Sequence, residues 1–120
     1  MPHCIVEYSN TLMERVTATE LLSRVHHALH ASGLFVPAQI KSRAQAYDAF
    51  ILDAQLDDFI HVTVRLHQGR SMTQKKDLSS AILQVVSQLP LGCVSVTVEI
   101  VEMDSAVYAK QLTEQRLPSG

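Results

Sequence analysis

Two stretches of this chain carry the same succession of signals, and that repeat constrains its fold more than any other feature. Residues 2–56 form the first copy, residues 57–103 the second, and residues 104–120 a tail. In each copy a short apolar strand pattern leads to a helix start, an apolar stripe at helical spacing, and a further extended stretch. Parallel neighbours in a sheet need a crossover connection, and such strand–helix–strand units are right-handed. The chain is therefore expected to be one α/β (α+β) domain. Two consecutive βαβ units would form a four-stranded sheet with two helices on one face. The other face is expected to carry apolar positions that no helix covers, and a second chain is the economical cover.

In the first copy, the apolar run His3 to Tyr8 is ended by Ser9-Asn10 and predicts a strand. Residues 9–16 form a connection. Thr17-Ala18-Thr19-Glu20 has the capping-box pattern, whose hydroxyl and carboxylate satisfy free amide groups at a helix start. Leu21, Leu22, Val25, Ala28 and Leu29 then recur on one helical face. Gly33 supplies a left-handed stop, Leu34 and Phe35 fold back onto the stripe, and Pro37 closes the helix. Ile40 to Leu52 reads as extended with a bend, its alternation weakened by alanines.

The second copy is sharper. After a polar turn over Asp53 to Asp58, Phe59 to Leu66 places Ile60, Val62, Val64 and Leu66 on one strand face. Gly69-Arg70-Ser71 makes a corner, and Ser71-Met72-Thr73-Gln74 is a second capping box. A stripe at Leu78, Ala81, Ile82, Val85, Val86 and Leu89 runs to Pro90 and Gly92. Val94, Val96, Val98 and Ile100 then alternate strictly with polar residues. The polar tail from Asp104 is expected either to reach a partner or to be partly mobile.

Composition excludes several classes. Hydrophobic residues at 47% and charged residues at 18% argue for a packed chain rather than a disordered one. A net charge of -2 gives no electrostatic case for nucleic acid or an anionic membrane. The longest charge-free run, Ala81 to Val98, contains Gln84, Gln88, Pro90 and Gly92 and is not a membrane span. Two cysteines make no disulfide framework. Cys4 and Cys93 are expected as buried thiols in a reducing compartment, and the protein as soluble and cytoplasmic.

The candidate chemistry begins at Met1-Pro2-His3. A small second residue allows the initiator methionine to be removed, which would leave Pro2 as a secondary amine. An α-amino group titrates near pH ~7.7–8.0, and desolvation or nearby cations lower that value. A neutral amine on a rigid ring is then a competent general base. Taken alone, these three residues are better read as a proline tolerated at a strand start. The corresponding position of the second copy, near Phe59, is mid-chain, so each chain could hold one such base.

Arg70 lies beside a helix amino terminus, where free amide groups favour an anion, and its fork suits a carboxylate. The alternative for Arg70 is a solvated loop residue. Lys41 and Arg43 share a strand face if no bulge intervenes. Ser71 is explained as a helix cap rather than a nucleophile. His26 and His30 stand at i and i+4, a chelating spacing, but lack a third ligand and read as a solvated helix face. His61 and His67 are expected to face outward.

Several pieces, in this order and spacing, resemble the tautomerases with an amino-terminal proline. They are Pro2-His3 with Ile5-Val6-Glu7, Ser32-Gly33-Leu34-Phe35, Ile40 with Ser42-Arg43, and Gly69-Arg70-Ser71. Within that group the chain is most similar to the 5-carboxymethyl-2-hydroxymuconate isomerases, over nearly its full length. The resemblance implies a homotrimer whose six βαβ units mimic hexamers of half-length members. It also implies Pro2 as acid–base residue, Arg70 as a substrate-binding cation, and no cofactor or metal. Lys41 and Arg43 would be further carboxylate contacts. Lys41 stands where the family pattern has arginine, which keeps the charge but loses the planar fork. The segment around Val107-Tyr108-Ala109 departs as well, and the resemblance implies that this region lies close to the site. The expected activity is keto–enol tautomerisation of a small unsaturated dicarboxylate of the 5-carboxymethyl-2-hydroxymuconate type, in aromatic-compound degradation. Decarboxylation or dehalogenation on the same scaffold, or a non-enzymatic trimeric binding protein, are the alternatives.

Overall fold

The computed structural model describes residues 1–114 and 116–118. Four strands, β1 (His3–Ser9), β2 (Lys41–Tyr47), β3 (Asp58–His67) and β4 (Val94–Met103), form one sheet in the order β2-β1-β3-β4. β1 runs parallel to β2 and β3 parallel to β4, while β1 and β3 pair antiparallel at the centre. Helix α1 (Ala18–Ala31) crosses from β1 to β2, and α2 (Met72–Ser87) from β3 to β4. The expected pair of βαβ units, with both helices on one side, is what the chain forms.

The core lies between helices and sheet. Cys4, Val6 and Tyr8 of β1 stand in register with Val64, Val62 and Ile60 of β3, and all six are buried. Leu21, Val25 and Leu29 of α1 and Leu78, Ile82 and Val86 of α2 close over them. Burying such a side chain contributes about 1.5–3 kcal/mol, which sets the register of both central strands. The second helix start behaves as the sequence predicts, and the first forms only the hydroxyl half of its expected box. The Thr17 hydroxyl accepts from the Glu20 amide, and Ser71 with Gln74 forms a complete capping box. Gly33, at φ 72°, gives α1 its left-handed exit.

Four expectations need correction. β2 ends at Tyr47, well short of Leu52. Pro37 does more than close α1, because it starts a 3-10 turn over Pro37–Gln39 that delivers the chain to β2. Cys93 is exposed, since it follows the Gly92 turn and precedes β4, whereas Cys4 is buried as expected. Burial pushes the Cys4 thiol up to about 12, against smaller opposing effects of Arg43 and Ser42.

The fourth concerns the open sheet face, which is mainly polar. Register places His3, Ile5 and Glu7 of β1 beside Lys41, Arg43 and Gln45 of β2. On the other side stand Arg65, Thr63 and His61 of β3, followed by Thr97 and Glu99 of β4. Tyr47 donates to Glu7, and His61 pairs with Thr97. The strongly exposed apolar side chains among the described residues lie elsewhere, at Val36 after α1, Ile51 in the β2–β3 loop, Met72 at the start of α2, and Val107, Leu112 and Leu117 in the tail. The described tail contains neither helix nor strand, and the expectation for Ser119 and Gly120 lies outside the described residues. No helix among the described residues is long and apolar enough to cross a membrane.

The two ends of the sheet differ sharply. Where β1 ends and β3 begins, the buried Asp58 accepts from Ser9 Oγ at 2.7 Å and also from Thr11 and Arg15. Arg15 Nε reaches Leu91 O at 2.8 Å, which ties the start of β4 to the same knot. At the other end β1 and β2 begin where β3 and β4 finish, and there the amino terminus lies.

Candidate active site

The amino terminus is held on several sides. Lys41 N donates to Pro2 O at 3.0 Å, which extends the β1–β2 ladder back to Pro2. Pro2 is buried, and so is Met1, only 8% exposed. The Met1 amine donates to Gln39 Oε1 at 3.2 Å, and its Sδ accepts from Tyr108 Oη at 2.9 Å. Gln39 is carried by the 3-10 turn, so the loop after α1 and the tail both reach the start of β1.

Cations dominate this corner. Burial first, then Lys41, Lys110 and Arg70, lower the pKa of the amino terminus. His3 is lowered too, by burial and then by Arg43, Lys41, the amino terminus and Arg65. Five of the chain's ten Lys and Arg residues thus act on this one corner of a molecule whose net charge is -2. Such a concentration favours a ligand with more than one negative charge.

The proposed site residues occupy distinct places within that field. β2 pairs without a bulge, so Lys41 and Arg43 share the open face and are both exposed. Arg43 Nη1 lies 3.3 Å from His3 Nδ1. Arg70 is half-buried. Its Nη2 donates to Leu34 O at 2.9 Å, its Nη1 donates to His67 O at 3.3 Å, and its guanidinium stacks over Phe35 at 5.1 Å. It therefore staples the exit of α1 to the β3–α2 corner while adding its charge to the amino-terminal field.

Beside these groups is a cleft of about 410 Å³ among His3, Arg43, Arg65 and Tyr108, with the carboxylates Glu102 and Asp104 also in its lining. A slightly larger hollow of about 480 Å³ lies between the outer faces of α1 and α2, near Arg24, His27 and Val85. That hollow holds none of the amino-terminal chemistry. His26 Nδ1 is hydrogen bonded to Ser42 Oγ at 2.6 Å, and His30 stacks with His27 rather than pairing with His26. His61 and His67 are engaged with Thr97 and Ser105 on the open side.

Gln39, Arg65 and Lys110 were not legible as site residues, because each reaches the corner through tertiary contacts, whereas Tyr108 lies in the segment that the family resemblance puts near the site. Arg65 alone leaves a trace in sequence, as a polar position alternating with buried Val64 and Leu66.

A mixed four-stranded sheet of two βαβ units with the amino terminus in a cationic corner defines a tautomerase-fold protein. The sequence pattern of the 5-carboxymethyl-2-hydroxymuconate isomerases matches residues 2–114, and the chain belongs to that isomerase family. A relative from Escherichia coli, 5-carboxymethyl-2-hydroxymuconate Delta-isomerase, is 28% identical over 88 residues, covering 72% of this chain and 70% of that protein. The crystal structure of a 5-carboxymethyl-2-hydroxymuconate isomerase from Deinococcus radiodurans R1 superposes with a TM-score of 0.79 at 25% identity. That match covers 93% of this chain and 90% of the other. A fused 4-OT protein, described as a symmetric trimer, shares the fold with a TM-score of 0.71 at 24% identity over 87% of each chain.

Proposed function

We propose that the chain, once Met1 is removed, is a cofactor-independent keto–enol tautomerase, an isomerase of the intramolecular oxidoreductase type. Its substrate would be a small unsaturated dicarboxylate, or a carboxymethyl-bearing relative such as the compound that names the family. The observation carrying this reading is Pro2, buried at the start of β1, with the Met1 amine one residue away in the field of Lys41, Lys110 and Arg70. Those cations disfavour a second positive charge on the nitrogen and attract the carboxylates of a substrate.

The Pro2 nitrogen takes the hydroxyl proton of the dienol. The oxygen's electrons form the ketone, and the double bonds shift along the diene. The prolinium then returns a proton to the terminal diene carbon, which leaves a conjugated ketone and a neutral amine. An amine with a pKa near neutrality serves both halves of that transfer. Arg70, Lys41 and Arg43 are assigned to the carboxylates. We assign the reaction to aromatic-compound degradation, in keeping with the compound that names the family, and the protein to the cytoplasm. We further propose a homotrimer, in keeping with the trimeric assembly described for a protein of the same fold.

Met1 gives the test two independent handles. While it is attached, the Pro2 nitrogen is an amide, and the Met1 side chain is buried with its Sδ against the Tyr108 hydroxyl. Three forms should be compared on a 2-hydroxymuconate-type dienol: the processed protein, its Pro2→Ala variant and a Met1-retaining form, each verified by intact mass. The processed protein should be the most active, and its rate should rise with pH through a pKa below that of an ordinary α-amine. Pro2→Ala keeps a primary amine in nearly the same place and should retain part of the activity. The Met1-retaining form should be the least active. Equal activity in all three would show that the proton does not pass through this nitrogen.

A further inference from the structure

A hydrogen-bonded chain leads from β2 to the space above Pro2, and its direction can be worked out. Arg43 Nη1 lies 3.3 Å from His3 Nδ1, and a guanidinium only donates. His3 Nδ1 is therefore the acceptor, and the ring proton of the neutral imidazole sits on Nε2. That nitrogen is 2.9 Å from Tyr108 Oη, so His3 donates and the phenol oxygen accepts. The hydroxyl proton of Tyr108 is left to point elsewhere, and it points at Met1 Sδ, 2.9 Å away. A thioether is a weak acceptor. The Tyr108 ring is fixed independently of its hydroxyl, packed edge-on against His67 at 4.9 Å and tilted on His3 at 6.2 Å.

Met1 is the residue bonded to the Pro2 nitrogen. Its removal vacates the place of the thioether and leaves an oriented O–H directed at the space beside the new amine. We propose that the Tyr108 hydroxyl donates a hydrogen bond to the substrate oxygen that becomes negatively charged during proton transfer, with His3 as its positioning residue. This rests on the Pro2 reading above and adds to it a neutral donor that carries no formal charge into an already cationic corner. The donor is aimed before substrate arrives, which is the arrangement that stabilises a developing oxyanion. Tyr108 does not compete with Pro2 as base, because its oxygen is already occupied by the His3 proton.

The test uses the full-length processed protein, with Met1 removal confirmed by mass. Tyr108→Phe keeps the ring packed on His67 and deletes only the hydroxyl. On the dienol it should lower kcat about 10–100-fold with KM changed less than about threefold, the split expected for a contact that strengthens in the transition state. His3→Ala should lower kcat less, and the double variant should be no slower than Tyr108→Phe alone, because His3 acts through the phenol. Wild-type kinetics in a folded Tyr108→Phe protein would overturn the proposal, as would additive losses in the double variant. Failure of the Pro2 reading has a separate signature, namely no ketonisation by the processed protein or equal rates in its Pro2→Ala and Met1-retaining forms. In that event affinity for 2-oxoadipate, a saturated 2-oxo dicarboxylate, decides the Tyr108 contact alone. Wild type should bind it about three- to tenfold more tightly than Tyr108→Phe, and equal affinity would overturn the contact.

Discussion

Arg70 staples the fold and is proposed to bind substrate, and a pair of substitutions can separate the two. Its bonds to Leu34 O and His67 O join a charged donor to neutral carbonyls, and its guanidinium covers the Phe35 ring. Hydrogen bonds to charged groups contribute about 1.5–3 kcal/mol each at full burial, and a half-buried side chain such as Arg70 gives less. With about 0.5–1 kcal/mol from an exposed cation–π contact, the staple is worth roughly 2–3 kcal/mol in all. If its charge also meets a substrate carboxylate, Arg70→Ala should raise KM and lower kcat/KM by roughly 10–100-fold, the loss of one charge-assisted contact. Arg70→Lys keeps the charge but cannot span both carbonyls with one ammonium, so it should lose most of the stability and less of the substrate affinity. The assay is urea unfolding beside steady-state kinetics of the processed protein, with saturating and limiting dienol. A folded Arg70→Ala protein with reduced stability and unchanged kinetics would leave only the staple.

At the other end of the sheet, Asp58→Asn should destabilise the fold by about 2–4 kcal/mol, because it leaves Arg15 unpaired against a buried group; the range is discounted for the partial exposure of Arg15. Desolvation raises the Asp58 pKa, but hydrogen bonds from Thr11, Ser9 and Arg15 and the Arg15 charge outweigh it and leave it lowered. The carboxylate's contribution to stability is therefore present above its unfolded pKa near ~3.9 and is lost as pH falls through the still lower folded value. Urea midpoints of wild type and Asp58→Asn should converge as the pH is taken below 4, and a constant gap down to pH ~2 would contradict this. Sedimentation equilibrium at micromolar concentration should show a trimer; a monomer would sink the proposed assembly.

Much of the fold was legible because its core obeys simple periods. The valines and isoleucines of β3 and β4 alternate, and the stripes of α1 and α2 recur at helical spacing. β2 was blurred because its helix-facing positions are the small residues Ser42, Ala44 and Ala46, while Lys41, Arg43 and Gln45 face out. Nothing strongly apolar marks either face. The same alternation held the answer about the open face: once Ile60, Val62 and Val64 point to the helices, His61, Thr63 and Arg65 must point away. The short sequence pieces brought out Pro2, Lys41, Arg43 and Arg70. The resemblance put the segment around Tyr108 near the site, but not the contact of Tyr108 with His3, which is 105 residues away in sequence and adjacent only after folding.

The doubled architecture also explains why the two ends of one sheet have diverged. β1 and β3 are corresponding strands of the two copies and run antiparallel, so their starts lie at opposite ends of the sheet. The start of β3 is mid-chain and has no free amine to offer. There the chain places a carboxylate, Asp58, and saturates it with Ser9, Thr11 and Arg15, so that the charges cancel inside the structure. The start of β1 has an amine within reach, and there the chain gathers Lys41, Lys110 and Arg70 about the amine and Arg43 and Arg65 about the neighbouring His3. Of these, Arg70 is anchored on carbonyl oxygens and Arg43 on a neutral imidazole, contacts that fix position without cancelling charge. Cations that are positioned but not neutralised raise the local potential and lower the amine's affinity for a proton. An anionic substrate that enters this corner offsets that charge and raises the amine's proton affinity at the moment the dienol proton is to be taken. Carboxylate binding and proton abstraction would thereby be coupled, and a monocarboxylate dienol should lose rate as well as affinity.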